Sequence, residues 1–128
     1  MNPRTTGQLE AAACDAVTRL YRDMLGRGPG KVTASLQRNS LFVQLEDVLT
    51  TAEEALVRKD RPNHAQGIEM IREMRTHLVR ISRSRLLAAL SDAIGKQATG
   101  VMHDIDPDAG SEVLVFRLAD APDSKPLA

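Results

Sequence analysis

The stretch "LGRGPGKVTASL", Leu25–Leu36, decides how this chain is read, because its three glycines and one lysine between Gly26 and Lys31 imitate a phosphate-cradling loop. A P-loop needs four residues between its glycines, a Ser or Thr after the lysine, and a strand before the loop with a helix behind it. Here three residues separate Gly26 from Gly30, Val32 follows Lys31, and a helical pattern precedes the loop. The stretch therefore reads as a hinge that ends a helix and opens a hairpin. Gly26 and Gly28 supply the positive φ of a helix stop, and Pro29 cannot continue a helix. Arg27 and Lys31 keep one functional reading, the holding of an anion against exposed backbone amides.

Upstream, Leu9, Ala13, Ala16, Val17, Leu20, Tyr21 and Met24 recur at three- and four-residue spacing, which predicts an amphipathic helix from Gln8 to Leu25. Thr5 with Gln8 has the form of a capping box, so the helix can begin slightly earlier. Downstream, Val32, Ala34 and Leu36 alternate with polar residues, and so do Leu41, Val43 and Leu45 with Phe42, Gln44 and Glu46. Arg38, Asn39 and Ser40 provide the turn of an antiparallel hairpin with one buried face.

"LTTAEEALV", Leu49–Val57, starts a short helix, with Thr50 and Glu53, or Thr51 and Glu54, as its capping box. Asp60, Pro62 and Asn63 break it, and a long helical segment follows from His64 to Ile94, stopped by Gly95. Its apolar stripe is split. Met70, Ile71, Met74, Leu78 and Ile81 share one face, and Leu86, Leu87, Leu90 and Ile94 share another on the far side of the wheel. Two expectations follow: a break near Ile81–Arg85, or a continuous helix whose second half docks on another subunit as a homodimer. The last hairpin is "ATGVMHDIDPDAGSEVLVFRL", with Thr99, Val101, His103 and Ile105 on one side of its first strand. Val113–Leu118 is apolar on both faces, which predicts a central or doubly covered strand. The fold class expected is α+β in one domain, in the order α-β-β-α-α-β-β, with a four-stranded, largely antiparallel sheet packed with helices. Residues 1–7 are expected to be a loose N-terminus, 8–118 the domain, and 119–128 a disordered tail.

Zero formal net charge gives no global field for nucleic acid or an anionic membrane, and 2% aromatic residues leave little for base stacking. The single cysteine, Cys14, excludes an internal disulfide and reads as a small packed hydrophobe. The longest apolar run, Leu86–Leu90, is far short of a membrane span, and "MNPRTTGQLE" lacks a signal-peptide core, so a soluble cytoplasmic protein is expected. "DIDPDAGSE" imitates a calcium loop but has Ala109 and Val115 where an EF-hand requires Gly and a carboxylate. It reads as an acidic turn. His64, His77 and His103 have no ligand spacing, and no nucleophile is visibly coupled to a base. Neither catalytic residues, metal nor cofactor are expected. The arginines of the long helix are the remaining binding candidates: Arg72, Arg80 and Arg83 share a sector, partly offset by Glu69 and Glu73.

Three separated stretches carry a resemblance to one family. Gly26-Arg27-Gly28-Pro29 after Tyr21, Leu49-Thr50-x-Ala52-Glu53, and Asp104-Ile105-Asp106-Pro107 before the last strand resemble the MpsC-type domain. The resemblance spans Leu9 to Leu118. Thr51 departs from a pattern in which proline is common after the capping threonine. The family takes its name from a component of a membrane-potential-generating system, and the resemblance implies association with cation or inorganic-carbon transport at the membrane. It implies no catalytic residue. The element order is also that of a bacterial-type KH domain with one strand added, but the connection Lys59–Gly67 lacks the G-x-x-G that grips nucleic acid.

The function expected is a non-catalytic cytoplasmic accessory or regulatory module, with a membrane transport protein as partner. Nucleic-acid binding through the arginine-rich helix and the Arg27/Lys31 turn is the alternative, and a small-anion sensor the third.

Overall fold

In a computed structural model describing residues 4–123, the chain forms α1 (Thr6–Leu25), β1 (Lys31–Gln37), β2 (Ser40–Glu46), α2 (Thr51–Leu56), α3 (His64–Ile81), α4 (Arg83–Ile94), β3 (Ala98–Asp106) and β4 (Ser111–Leu118). The fold is α+β, as the sequence indicates, with the long segment divided into α3 and α4. The ends expected to be loose lie partly outside the described residues. Of the rest, Thr5 caps α1, and the Ala119 N–H donates to the Gln97 carbonyl at 2.9 Å.

Both arms of the Thr5/Gln8 capping box form: the Gln8 N–H donates to Thr5 Oγ1 at 3.0 Å and the Thr5 N–H to Gln8 Oε1 at 2.8 Å. The helix ends at Gly26, whose φ of 80° lets its N–H close on the Arg22 carbonyl. Gly28 does not share that conformation, so one glycine of the hinge carries the helix stop. Gly30 has a different task. A Cβ there would lie 2.7 Å from Asp47 Oδ2, and its N–H donates to the Glu46 carbonyl at 2.9 Å, which starts the β1–β2 hairpin.

The sheet order is β1-β2-β4-β3, and every pairing is antiparallel. β4 is central, as its apolar composition predicts. Helices cover one face only: α1 packs on β1, and α3 and α4 pack on β3. That face carries Leu41, Val43 and Leu45 of β2, Leu114, Phe116 and Leu118 of β4, and Ile105 of β3, all buried. The expected placement of Thr99 on one side of β3 with Val101, His103 and Ile105 is corrected. A register shift between Ala98 and Gly100 turns Ala98 inward and leaves Thr99 exposed.

The split stripe resolves as a break at Ser82 (φ −97°, ψ 3°). The face assignments need a correction as well. α4 buries Leu86, Leu90 and Ile94 in the chain's own core, so it does not hold them for another subunit. α3 buries Gly67, Ile71, Arg75 and Val79, while Met70, Met74 and Ile81 stay exposed. The rotation of α3 is set by two contacts. Gly67 lies so close to α2 that a Cβ would stand 1.9 Å from the Leu56 carbonyl oxygen. Arg75 reaches into the interior, where its charge is paired. An unpaired buried charge costs far more than an exposed methionine.

Candidate functional site

Five elements bring ionisable side chains to one point inside the domain. Glu53 lies in the first turn of α2, where it closes the Thr50 capping box: the Thr50 N–H donates to Glu53 Oε1 at 2.8 Å. The same carboxylate receives Arg75 of α3 in bidentate fashion, from Nε to Oε2 at 2.9 Å and from Nη2 to Oε1 at 2.7 Å. Arg75 Nη2 also donates to the Val48 carbonyl at 2.6 Å, and Nη1 to Glu112 Oε1 of β4 at 3.1 Å. Glu112 Oε2 meets His103 Nε2 of β3, and the Tyr21 hydroxyl of α1 bonds to the same carboxylate. The result is an alternating chain, Glu53–Arg75–Glu112–His103, with Tyr21 beside it.

The electrostatics lock this chain. Burial by itself pushes the Glu53 carboxyl up, but hydrogen bonds from Arg75 and Thr50 outweigh it and hold the group below the usual carboxylate range. Burial pulls the Arg75 guanidinium down, and its pairing with Glu53 and Glu112 reverses the shift. Burial, joined by the Glu112 charge, pushes the Tyr21 phenol well above its usual value. A permanently charged arginine and a carboxylate held ionised form a clamp with no proton to exchange near neutral pH. One ring nitrogen stays outside the network: His103 Nδ1 is buried with no hydrogen-bond partner.

The residues named from the sequence fall in separate places. Arg27 ties the hinge to the β2–α2 connection, donating from Nη1 to the Leu49 carbonyl at 2.5 Å and from Nη2 to Asp47 Oδ2 at 3.2 Å. Lys31 is exposed on edge strand β1. Arg72 and Arg80 are exposed on α3 and Arg83 at the start of α4, and both helices pack beside β3 at the opposite edge of the sheet. The two basic groups are therefore not brought together. Arg72 approaches Asp104 at 3.8 Å, which fastens α3 to β3, and Arg83 donates to the Thr99 carbonyl at 3.1 Å, which fastens the start of α4 to β3.

The acidic stretch is a turn. Asp104 Oδ1 accepts from the Ile105 N–H, Asp106 Oδ1 from the Ala109 N–H, and the Pro107 carbonyl from the Gly110 N–H. Among the described residues no group of His, Cys, Asp and Glu could hold a metal ion. Cys14 is half-buried, and burial together with Asp15 and Glu10 raises its thiol, which disfavours a reactive thiolate.

Sequence reasoning places Glu53 in a cap, and it misses Arg75, Glu112, His103 and Tyr21 as its partners in the network. A signal was present. Arg75 shares four-residue spacing with Ile71 and Val79, and Glu112 shares two-residue spacing with Leu114, Phe116 and Leu118. A charge in an apolar register on both elements marks a buried pair.

α3 adds a second surface. Met70, Met74 and Ile81 are 51%, 45% and 67% exposed and line one side of the helix at four- and seven-residue spacing. Arg72 and Arg80 line the other side, with Arg83 just past the break at the start of α4. Buried contact reaches the helix along only a narrow strip between the two.

The family model described as "Na+-translocating membrane potential-generating system (MpsC)" matches residues 5–120. The uncharacterised protein YbcI of Bacillus subtilis (strain 168) is 25% identical over 115 residues, covering 90% of this chain and 89% of the relative. No solved structure matches the chain.

Proposed function

This chain belongs to the MpsC family, and from that premise we propose that it is a non-catalytic accessory or regulatory module of a membrane cation or inorganic-carbon transport system. The observation that carries this reading is the exposed surface of α3 and the start of α4, where an apolar side (Met70, Met74, Ile81) and a basic side (Arg72 and Arg80, with Arg83 of α4) flank the buried strip. A helix of that pattern fits an acidic amphipathic segment, received by hydrophobic contact with a charged rim. The module sits on the cytoplasmic side and reaches the membrane through its partner. No described helix is long and apolar enough to cross one. A non-catalytic role is supported by the way the densest group of ionisable side chains is spent on internal ion pairs. The module works as a homodimer.

A photo-crosslinking residue at His77, adjacent to Met74 and Ile81 on the helix surface, tests the docking in detergent-solubilised membranes. The expected result is a crosslink to a transport-system subunit that disappears in Met74→Asp and in Arg80→Glu. Nuclease-sensitive nucleic acid in its place would favour the KH-like alternative through the same arginines. Thermal stabilisation by bicarbonate or phosphate without any protein partner would favour a small-anion sensor.

A further inference from the structure

The face of the sheet turned away from the helices has a residue pattern that solvent does not explain. Antiparallel sheets with one wet face alternate apolar-in and polar-out. On this outer face the register aligns Ser35, Phe42, Val115 and Met102 in one row across all the strands. Phe42 is 43% and Met102 60% exposed, with Val115 half-buried between them and Val113 beside it in the next row. The flanking rows are Gln37–Ser40–Arg117–Gly100 on one side and Thr33–Gln44–Val113–Asp104 on the other. An apolar centre is thus bounded by one cation and one anion on opposite sides.

We propose that this face is where two copies of the chain associate, packed sheet to sheet about a two-fold axis that runs along the Ser35–Phe42–Val115–Met102 row. A rotation about that axis keeps each strand over its own counterpart and exchanges the flanking rows. Asp104 of the second copy then falls over Gly100, which has no side chain to obstruct it, beside Arg117. The symmetric contact repeats on the other side, as an isologous interface requires. Charge complementarity selects a second copy as the occupant, because the pattern is complementary to itself. Asp104 can take part because its side chain is 78% exposed: Oδ1 carries the 3.8 Å contact with Arg72 and the bond from the Ile105 N–H, and the arginine of a second copy would meet Oδ2.

Four strands at about 4.8 Å and seven residues at about 3.3 Å give a face of about 19 by 23 Å. That is about 440 Å² in projection, against about 800 Å² of accessible surface per partner in a standard interface, so association at micromolar strength is expected. The inference deepens the self-association in the proposed function and does not depend on what α3 docks on.

The experiment is sedimentation equilibrium of the full chain at tens of micromolar, with circular dichroism and thermal melts as folding controls. Wild type is expected to dimerise. Met102→Lys and Arg117→Asp should each weaken the dimer at least about tenfold, as loss of an apolar anchor or of a charge pair does. Asp104→Arg alone should also be monomeric, and mixing it with Arg117→Asp should restore a dimer made of one copy of each. A short bis-maleimide should join two Val115→Cys chains in a Cys14→Ser background, across sheets about 10 Å apart. A monomeric wild type would overturn the inference and the self-association together, leaving the α3 crosslink untouched. A dimer that survives both Met102→Lys and Arg117→Asp would overturn the sheet face alone.

Discussion

Arg75 and Glu53 face each other across the α2–α3 contact as a bidentate ion pair, with side chains 1% and 6% exposed. The carboxylate that caps α2 is therefore the one that neutralises a charge inside the domain. Local helix initiation and tertiary packing depend on the same side chain. Loss of Glu53 removes the cap of one helix and the counter-charge of another.

Arg75→Met keeps the length of the side chain but strands two carboxylates. Removing one partner of a buried pair costs about 3–5 kcal/mol. Urea denaturation should show a loss of that size. A change below about 1 kcal/mol would mean that the network adds little to stability.

Stability should fall at both ends of the pH range. Glu53 has its folded value lowered from 4.5, so its contribution is complete above that pH and is lost as pH falls through the lowered value. Tyr21 has its folded value raised from 10.0, so its contribution is complete below pH 10 and declines as pH rises above it. Urea midpoints measured from pH 3 to 11 check both limbs. Glu53→Gln should flatten the acid limb and Tyr21→Phe the alkaline one.

The glycines should separate sharply. Gly67→Ala drives a Cβ into the Leu56 carbonyl and should cost at least about 2 kcal/mol. Gly26→Ala should cost about 1–2 kcal/mol, because φ at that position is 80°. Gly28→Ala meets Thr18 Cγ2 at an ordinary 3.4 Å and should be nearly neutral, as should Lys31→Ala on the exposed edge. Thermal melts of the four variants decide the order.

The apolar residues of α3 and α4 should behave oppositely. Leu90→Ala should cost about 2–5 kcal/mol as a core cavity. Met74→Ala and Ile81→Ala should stay within about 0.5 kcal/mol, as exposed positions do. A large loss at Met74 would mean that this side of α3 is covered in the isolated chain.

Local elements were readable because their causes are local. Thr5 with Gln8, and Thr50 with Glu53, sit one helical turn apart, and Gly26 and Gly95 end helices through their own φ. The alternation in β1 and β2 fixed which residues face inward. Where the cause was distant, the reading failed. Apolar spacing groups Met70, Met74 and Ile81 with Ile71 on one face of α3, yet the rotation of that helix depends on Arg75 finding Glu53 22 residues away and Glu112 37 residues away.

Composition, caps and periodicity by themselves determined the element order, the α+β class and the turn role of Leu25–Leu36. Each depends on residues within a few positions of one another, whose interactions form in any fold that contains them. Only the tertiary structure decided which side of α3 is buried, that Glu112, His103 and Tyr21 join Arg75, and that one sheet face stays open. Those outcomes depend on pairing charges from separate elements in a medium where an unpaired charge is too costly to keep.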